Sequence, residues 1–232
     1  MAANWKFEKV VNMVKKAVQE KQEIINEGVD NYHVRLIPGN SKTGKTTWTV
    51  SLIPGHDCQN CKHCLNGCYD IKADLIHPSC RKYRVINSAI HEKDLERYWK
   101  EISDQCEENG IILLRINVGG DLAYEDFPYV KNLAKEHPKM KILFFTKNYT
   151  DLNRFLDEDQ FPENVQAIMS GWKNCQPVNP HQLPEAHVLY ADGTRTWDKT
   201  AKYCPGNCSK CYLKELGCWD LKKGEAVVFN EH

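Results

Sequence analysis

Residues 111–121 read IILLRINVGGD. Apolar residues fill all but two of the first eight positions, so a strand built from them has no polar face. Strands covered on both faces are the habit of parallel sheets. The two glycines and the aspartate that follow put a tight turn at the strand's C-terminal end. Downstream the pattern alternates. A helix over 126–136 leads to the strand KILFFTKN (141–148), and a short helix over 151–158 leads to VQAIMSGW (165–172). A proline-containing loop, 176–184, leads to the strand HVLYAD (187–192), and EAVVFNEH (225–232) reads as a last strand. Upstream, 91–110 reads as one helix with Leu95, Tyr98, Trp99, Ile102 and Cys106 on one face and Gly110 at its end. HVRLIP (33–38) and TTWTVSLIP (46–54) are β-branched or aromatic runs and read as strands. Residues 3–27 carry apolar positions at helical spacing, with Gly28 as the stop. The expected fold is α/β: a partial, barrel-like (β/α) parallel sheet with an N-terminal helix and two cysteine-rich metal-binding loops. The helix (1–30) packs on a single domain (31–232), whose residues 200–220 form a C-terminal cysteine-rich segment.

The chain has 232 residues, 41% of them hydrophobic, enough for a sizeable core without disulfide staples. Its formal net charge is zero, which excludes a global basic field for nucleic acid and leaves only local patches. The first residues lack a basic-then-apolar signal pattern, and no apolar run approaches the ~18 residues of a membrane span. A soluble, cytoplasmic protein with no membrane partner is expected.

GNSKTGKTT (39–47) opens with the spacing of a phosphate-cradling loop. Such a loop needs a helix after it, whose N-terminus holds the phosphates. The segment that follows is β-branched, alternates with period two and ends at Pro54, so it is a strand. The stretch reads instead as a polar turn, with Lys42 and Lys45 solvated or touching an anionic partner.

Eleven cysteines are many for a chain in a reducing compartment, where clustered cysteines serve as metal ligands more often than as disulfides. Eight fall in two runs. The first is Cys58-x2-Cys61-x2-Cys64-x3-Cys68, the order found in bacterial ferredoxins, with His56 and His63 as possible substitutes. The second is Cys204-x3-Cys208-x2-Cys211-x6-Cys218. One or two [4Fe–4S] clusters are expected, with zinc as the alternative, above all at the second run, and a single shared site also open. Cys80, Cys106 and Cys175 stand alone, and Cys106 lies on an apolar helix face as a core residue.

The segments SLIPGHDC, CYD, RKYRVIN, LLRINVGGDLAY, FFTKN and PENV, with the terminal cysteines and VVFNEH, resemble the phage gene-product-88 family from about residue 38 onward. The resemblance implies a phage-encoded protein of a bacterial cytoplasm. It matches Cys58, Cys64 and Cys68 to the family's cysteines and leaves Cys61 as an addition. More distantly, the chain resembles radical S-adenosylmethionine enzymes. These hold a cluster by three cysteines after the first barrel strand and meet the cofactor's amino group with a glycine-rich turn after the second. Gly119, Gly120 and Asp121 stand where that turn carries Gly-Gly-Glu, and the C-x3-C-x2-C order of those enzymes occurs here at Cys204, Cys208 and Cys211.

In parallel α/β folds ligands gather at the C-terminal ends of strands. This rule groups Gly119, Gly120, Asp121, Lys147, Asn148, Ser170 and Trp172 on one rim, although Asp121 could instead cap the next helix. Arg81, Arg84 and Asn87 follow the first cysteine loop, as anion ligands for a cofactor or as surface salt-bridging groups. Two functions are expected to compete. One is an iron–sulfur enzyme using S-adenosylmethionine on a small-molecule or nucleic-acid substrate. The other is a metal-stabilised, non-catalytic protein that binds nucleic acid or a host protein.

Overall fold

The computed structural model describes residues 7–40, 44–58, 60, 64–197, 200–214 and 217–231. Helix α1 (Phe7–Glu27) precedes strand β1 (Thr47–Val50). Three consecutive helices follow, α2 (Tyr69–Ile76), α3 (Pro78–Lys93) and α4 (Leu95–Glu108). Then come β2 (Leu113–Ile116), α5 (Phe127–Glu136), β3 (Lys141–Thr146), α6 (Tyr149–Glu158), β4 (Val165–Ser170) and β5 (Glu185–Leu189). The chain continues through β6 (Lys202–Tyr203), α7 (Cys208–Leu213) and β7 (Ala226–Asn230). The seven strands form one open sheet in the order β1-β2-β3-β4-β5-β7-β6, and every neighbouring pair is parallel.

The alternation of the strands divides the core. Leu114, Ile116, Ile142, Phe144, Ala167 and Met169 point to one face, where α3–α6 bring Ile90, Tyr98, Ile102, Phe127, Val130, Leu152 and Phe155. Leu113, Leu143, Ile168, Ala186 and Val227 point to the other, where the C-terminal segment brings Cys211, Trp219 and Leu221. Both faces of the central strands are therefore covered, as the apolar run in β2 predicts. The face under the C-terminal segment is called the inner face below.

Several local expectations change. The helix expected over 91–110 is two, because Asp94 leaves helical geometry and accepts the amide of Arg97, starting α4 afresh. Residues 33–38 form no strand: only Ile37 pairs, as an isolated antiparallel bridge to Thr49. β6 and α7 sit within the region read only as a cysteine run. Thr47–Val50 is a strand, so no helix follows the GNSKTGKTT turn; Lys42 in that turn, Cys61, His63 and the first residues of the expected N-terminal helix lie outside the described residues. Cys106 is buried in the helical core, as expected. Among the described residues no helix is long and apolar enough to cross a membrane.

Candidate metal sites at the rim and on the inner face

The first cysteine loop sits at the C-terminal end of β1. Asp57 fixes its entry: its carboxylate accepts from Ile53 N (2.8 Å) and Ser88 Oγ (2.7 Å), and its carbonyl accepts from Asp121 N (2.6 Å). Gly55 turns the chain at φ +82°, and its amide donates to Cys58 Sγ at 3.4 Å. Cys64 begins a short 3-10 turn, and Cys68 stands immediately before α2. Burial pushes the Cys58 thiol well above its ordinary pKa; the Gly55 amide opposes this, while the charges of Asp121, Cys68 and Cys64 add to it. Burial, with the charge of Asp70, likewise pushes Cys68 to about 12. Thiols in such a place stay protonated unless a cation takes them as thiolates.

The turn after β2 lies against this loop. Gly119 O accepts from Leu52 N (2.9 Å), and its amide donates to Ser51 Oγ (3.3 Å). Gly120 has φ +88°, and a Cβ there would stand 2.8 Å from Leu52 Cβ. Only glycine allows both the backbone conformation and this approach. Asp121 caps no helix: its carboxylate accepts the amides of Leu122 and Lys147 (both 2.9 Å), tying the β2 turn to the end of β3. The 3-10 turn before α5 (Tyr124–Asp126) is closed instead by Asp126, whose carboxylate accepts from Ala123 N at 2.8 Å. Lys147 places its ammonium 5.3 Å from the centre of the Trp172 ring, and its carbonyl accepts from Asn60 of the cysteine loop. Asn148 is occupied as the N-cap of α6 and as a donor to Leu122 O.

The basic and polar residues after the loop are engaged within the fold. Arg84 is buried and donates to Asp70 and Asp74 at 2.5 and 2.7 Å. Asn87 bridges Arg35 and Ser51 through its amide. Arg81 pairs with Glu20 of α1. His56 contacts Lys21 at 2.7 Å.

Asn117 was not singled out by sequence. It has φ +51°, is 5% exposed, and among the described residues neither its amide nitrogen nor its amide oxygen has a partner. It lies one residue past β2, two before the glycine turn. An orphaned amide on left-handed backbone costs stability, and such costs concentrate where a ligand supplies the missing partners. A non-glycine residue followed by Val-Gly-Gly at a strand end was the only signal available in the sequence.

The second cysteine run lies on the inner face. Cys204, Cys208, Cys211 and Cys218 line a small cavity of about 30 Å³ with Arg115, Phe145, Trp219 and Phe229. Gly206 N donates to Cys204 Sγ at 3.4 Å, and Arg115 Nη1 donates to Cys208 Sγ at 3.6 Å. A Cβ on Gly217 would stand 3.1 Å from Cys211 Sγ, so glycine makes room beside the thiol. Burial pushes Cys218 to about 12, against the pull of Arg115 and with the other three thiols adding to the rise. Among the described residues no three His, Cys, Asp or Glu side chains are arranged to hold a single metal ion.

The molecule is thus a parallel α/β protein with one cysteine loop at the mouth of its sheet and another beneath it. A sequence profile of the Gene product 88 family matches residues 34–203, and the chain belongs to that family. The match takes in the first cysteine loop and the glycine turn and ends one residue before Cys204, so it is shorter than the resemblance read from the sequence. No curated protein and no solved structure matches the chain.

Proposed function

We propose that the protein is an iron–sulfur enzyme acting on a small molecule at the C-terminal rim of the sheet, in the manner of radical S-adenosylmethionine enzymes. One observation carries the reading: the loop bearing Cys58, Cys64 and Cys68 packs on the Gly119–Gly120–Asp121 turn, joined by the Asp121 N to Asp57 O hydrogen bond and by the effect of Asp121's charge on Cys58. A thiol set of three leaves a four-iron cluster one iron for an external ligand, and such a cluster supplies one-electron chemistry when bound. The protein's own residues would do the rest. The glycine turn offers backbone at close approach, Asn117 offers an unpaired amide, and Lys147 and Trp172 border the rim.

Anaerobic purification or reconstitution tests the reading. The loaded protein should be brown, absorb near ~400 nm and contain acid-labile sulfide. With dithionite and S-adenosylmethionine it should release 5′-deoxyadenosine. A loaded protein that leaves the cofactor intact would sink the catalytic part of the proposal.

A further inference from the structure

The cysteine loop and the glycine turn follow β1 and β2, at one end of the rim. A different set of side chains follows the next three strands. Lys147 comes after β3, Trp172 and Lys173 after β4, and Tyr190, Arg195 and Trp197 after β5. These strands are consecutive in the sheet, so their C-terminal ends lie side by side at about 5 Å per strand. Each cation stands near a ring: Lys147 Nζ is 5.3 Å from the centre of Trp172, Lys173 Nζ 5.6 Å from that of Tyr190, and Arg195 Cζ 5.8 Å from that of Trp197. A chain of this length carries about three such pairs by ordinary frequency, so their number decides nothing. Their placement does, because these three stand on three adjacent strand ends. Local bonds fix the row. Trp172 and Cys175 exchange both backbone hydrogen bonds (2.8 and 2.9 Å), Lys173 N donates to Tyr190 Oη (2.8 Å), and the Trp172 and Tyr190 rings meet edge-on at 6.2 Å. The three rings are half-buried, while Lys173 and Arg195 are exposed. Lys173 is paired with Asp192 at 2.9 Å, whereas Lys147 and Arg195 form no salt bridge among the described residues.

We infer that the ends of β3, β4 and β5 form a platform for single-stranded nucleic acid. A nucleotide carries both counterparts of each pair, a flat base and, one sugar away, an anion. The rings offer stacking surface, and the two unpaired cations meet phosphate. A lone nucleotide uses one pair, whereas a row of three along adjacent strands suits a strand. A duplex hides its base faces and has nothing to stack, and an acidic peptide answers the cations but not the rings. The inference goes beyond the small-molecule reading of the rim and does not depend on a cluster, because none of these residues belongs to the cysteine loop or the glycine turn.

Anisotropy of a fluorescein-labelled oligothymidylate of about 12 nucleotides, titrated with the full chain, tests this. Binding should be saturable at ~50 mM salt and weaken about sevenfold by ~200 mM, as phosphates on Lys147 and Arg195 require at a slope of about −0.7 per contact. Lys147→Gln/Arg195→Gln should flatten that dependence. Trp172→Ala should weaken binding about 5- to 150-fold, the loss of one stacked base. Arg154→Gln removes a cation 4.0 Å from the Tyr124 ring, outside the row, and should change nothing. Unlabelled thymidine monophosphate, and a duplex of the same length, should compete poorly. No saturable binding, or binding untouched by both the Trp172 variant and the double variant, would overturn the platform. Competition by the monophosphate or the duplex as strong as that of the single strand would also overturn it, in favour of a one-nucleotide pocket or a purely electrostatic contact. If Trp172→Ala fails to fold, the double variant still decides. Failure here leaves the iron–sulfur reading intact, and a wild type without iron leaves the platform intact.

Discussion

Replacing Arg84 with Gln should cost about 3–5 kcal/mol at pH 7, and part of that cost should vanish on mild acidification. The guanidinium joins α3 to α2 through Asp70 and Asp74, which are 4% and 2% exposed. Removing one partner of a buried ionic set leaves charge without compensation, and the quoted range is the usual penalty. Burial already lifts Asp74 to about 6, even with Arg84 beside it to pull the value down. Without Arg84 the value rises further. A carboxyl whose folded pKa is raised gives its greatest stability below the unfolded value of about 3.9, and loses it as pH rises to the folded value. In the wild type this loss is complete just above pH 6. In the variant it continues upward at about 1.4 kcal/mol per pH unit. Between pH 7 and pH 6 the deficit should therefore shrink by about 1 kcal/mol or more, because Asp70, which burial also raises and Arg84 also opposes, adds to the same trend. Urea unfolding of the metal-free protein at several pH values, compared through midpoints and slopes, measures this. A deficit under 1 kcal/mol, or one that does not change between pH 7 and 6, would refute the view of Arg84 as the counter-charge of a buried acidic pair. Arg84 also lies against Gly119, where a Cβ would stand 3.3 Å from its Cζ, so the variant should load the rim site less readily.

Burial disfavours the charged ring of His91, but its hydrogen bond to Asp126 at 2.8 Å and the charges of Asp126 and Asp57 outweigh this and hold its pKa above the ordinary value. Its contribution should be full below about pH 6.5 and fade as pH rises through the folded value; in His91→Gln this fall in the urea midpoint on going to pH 8 should be absent. Asn117→Gly relieves a left-handed backbone and an orphaned amide, so the metal-free protein should gain about 1 kcal/mol in urea, while 5′-deoxyadenosine formation should fall about tenfold or more. Loss of stability in that variant would mean the amide has a structural partner. Gly44→Ala would set a Cβ 2.1 Å from Ser209 Oγ at φ +84°, which should lower the melting temperature by several degrees. Ser209→Gly should return part of that loss, because it removes the clash and leaves the backbone strain.

The sheet was legible because burial on both faces writes itself as runs such as IILL and ILFF, and because each of β2, β3 and β4 is followed by a turn signal. Placement of the glycine turn, Lys147 and Trp172 at one rim followed from parallel topology alone. The roles of individual polar residues were not legible. Arg84 and Asn87 looked like ligands or surface groups, and their partners, Asp70, Asp74, Arg35 and Ser51, are set by tertiary packing that no local pattern encodes. α3 carries no clear sequence signal, because its buried face mixes Val85, Ile86, Ala89 and Ile90 with Arg84, Asn87 and Ser88, which blurs a helical stripe. Arg115 was hidden for a related reason: one cation in an apolar strand says nothing about which thiol it will meet.

The turn that first suggested a nucleotide has a different use. Thr46 and Thr47 both hydrogen-bond Ser209 Oγ, at 2.7 and 3.0 Å, so the start of the first strand is fastened to a helix made 163 residues later. At ribosomal speeds of about 5–20 residues per second, that gap lasts on the order of ten to thirty seconds. During it Leu113, Leu143 and Ile168 have strand neighbours but nothing above them. The nascent chain must therefore wait with a bare apolar surface until its last segment arrives, and any agent that delays release or shields that surface will govern how much protein is recovered.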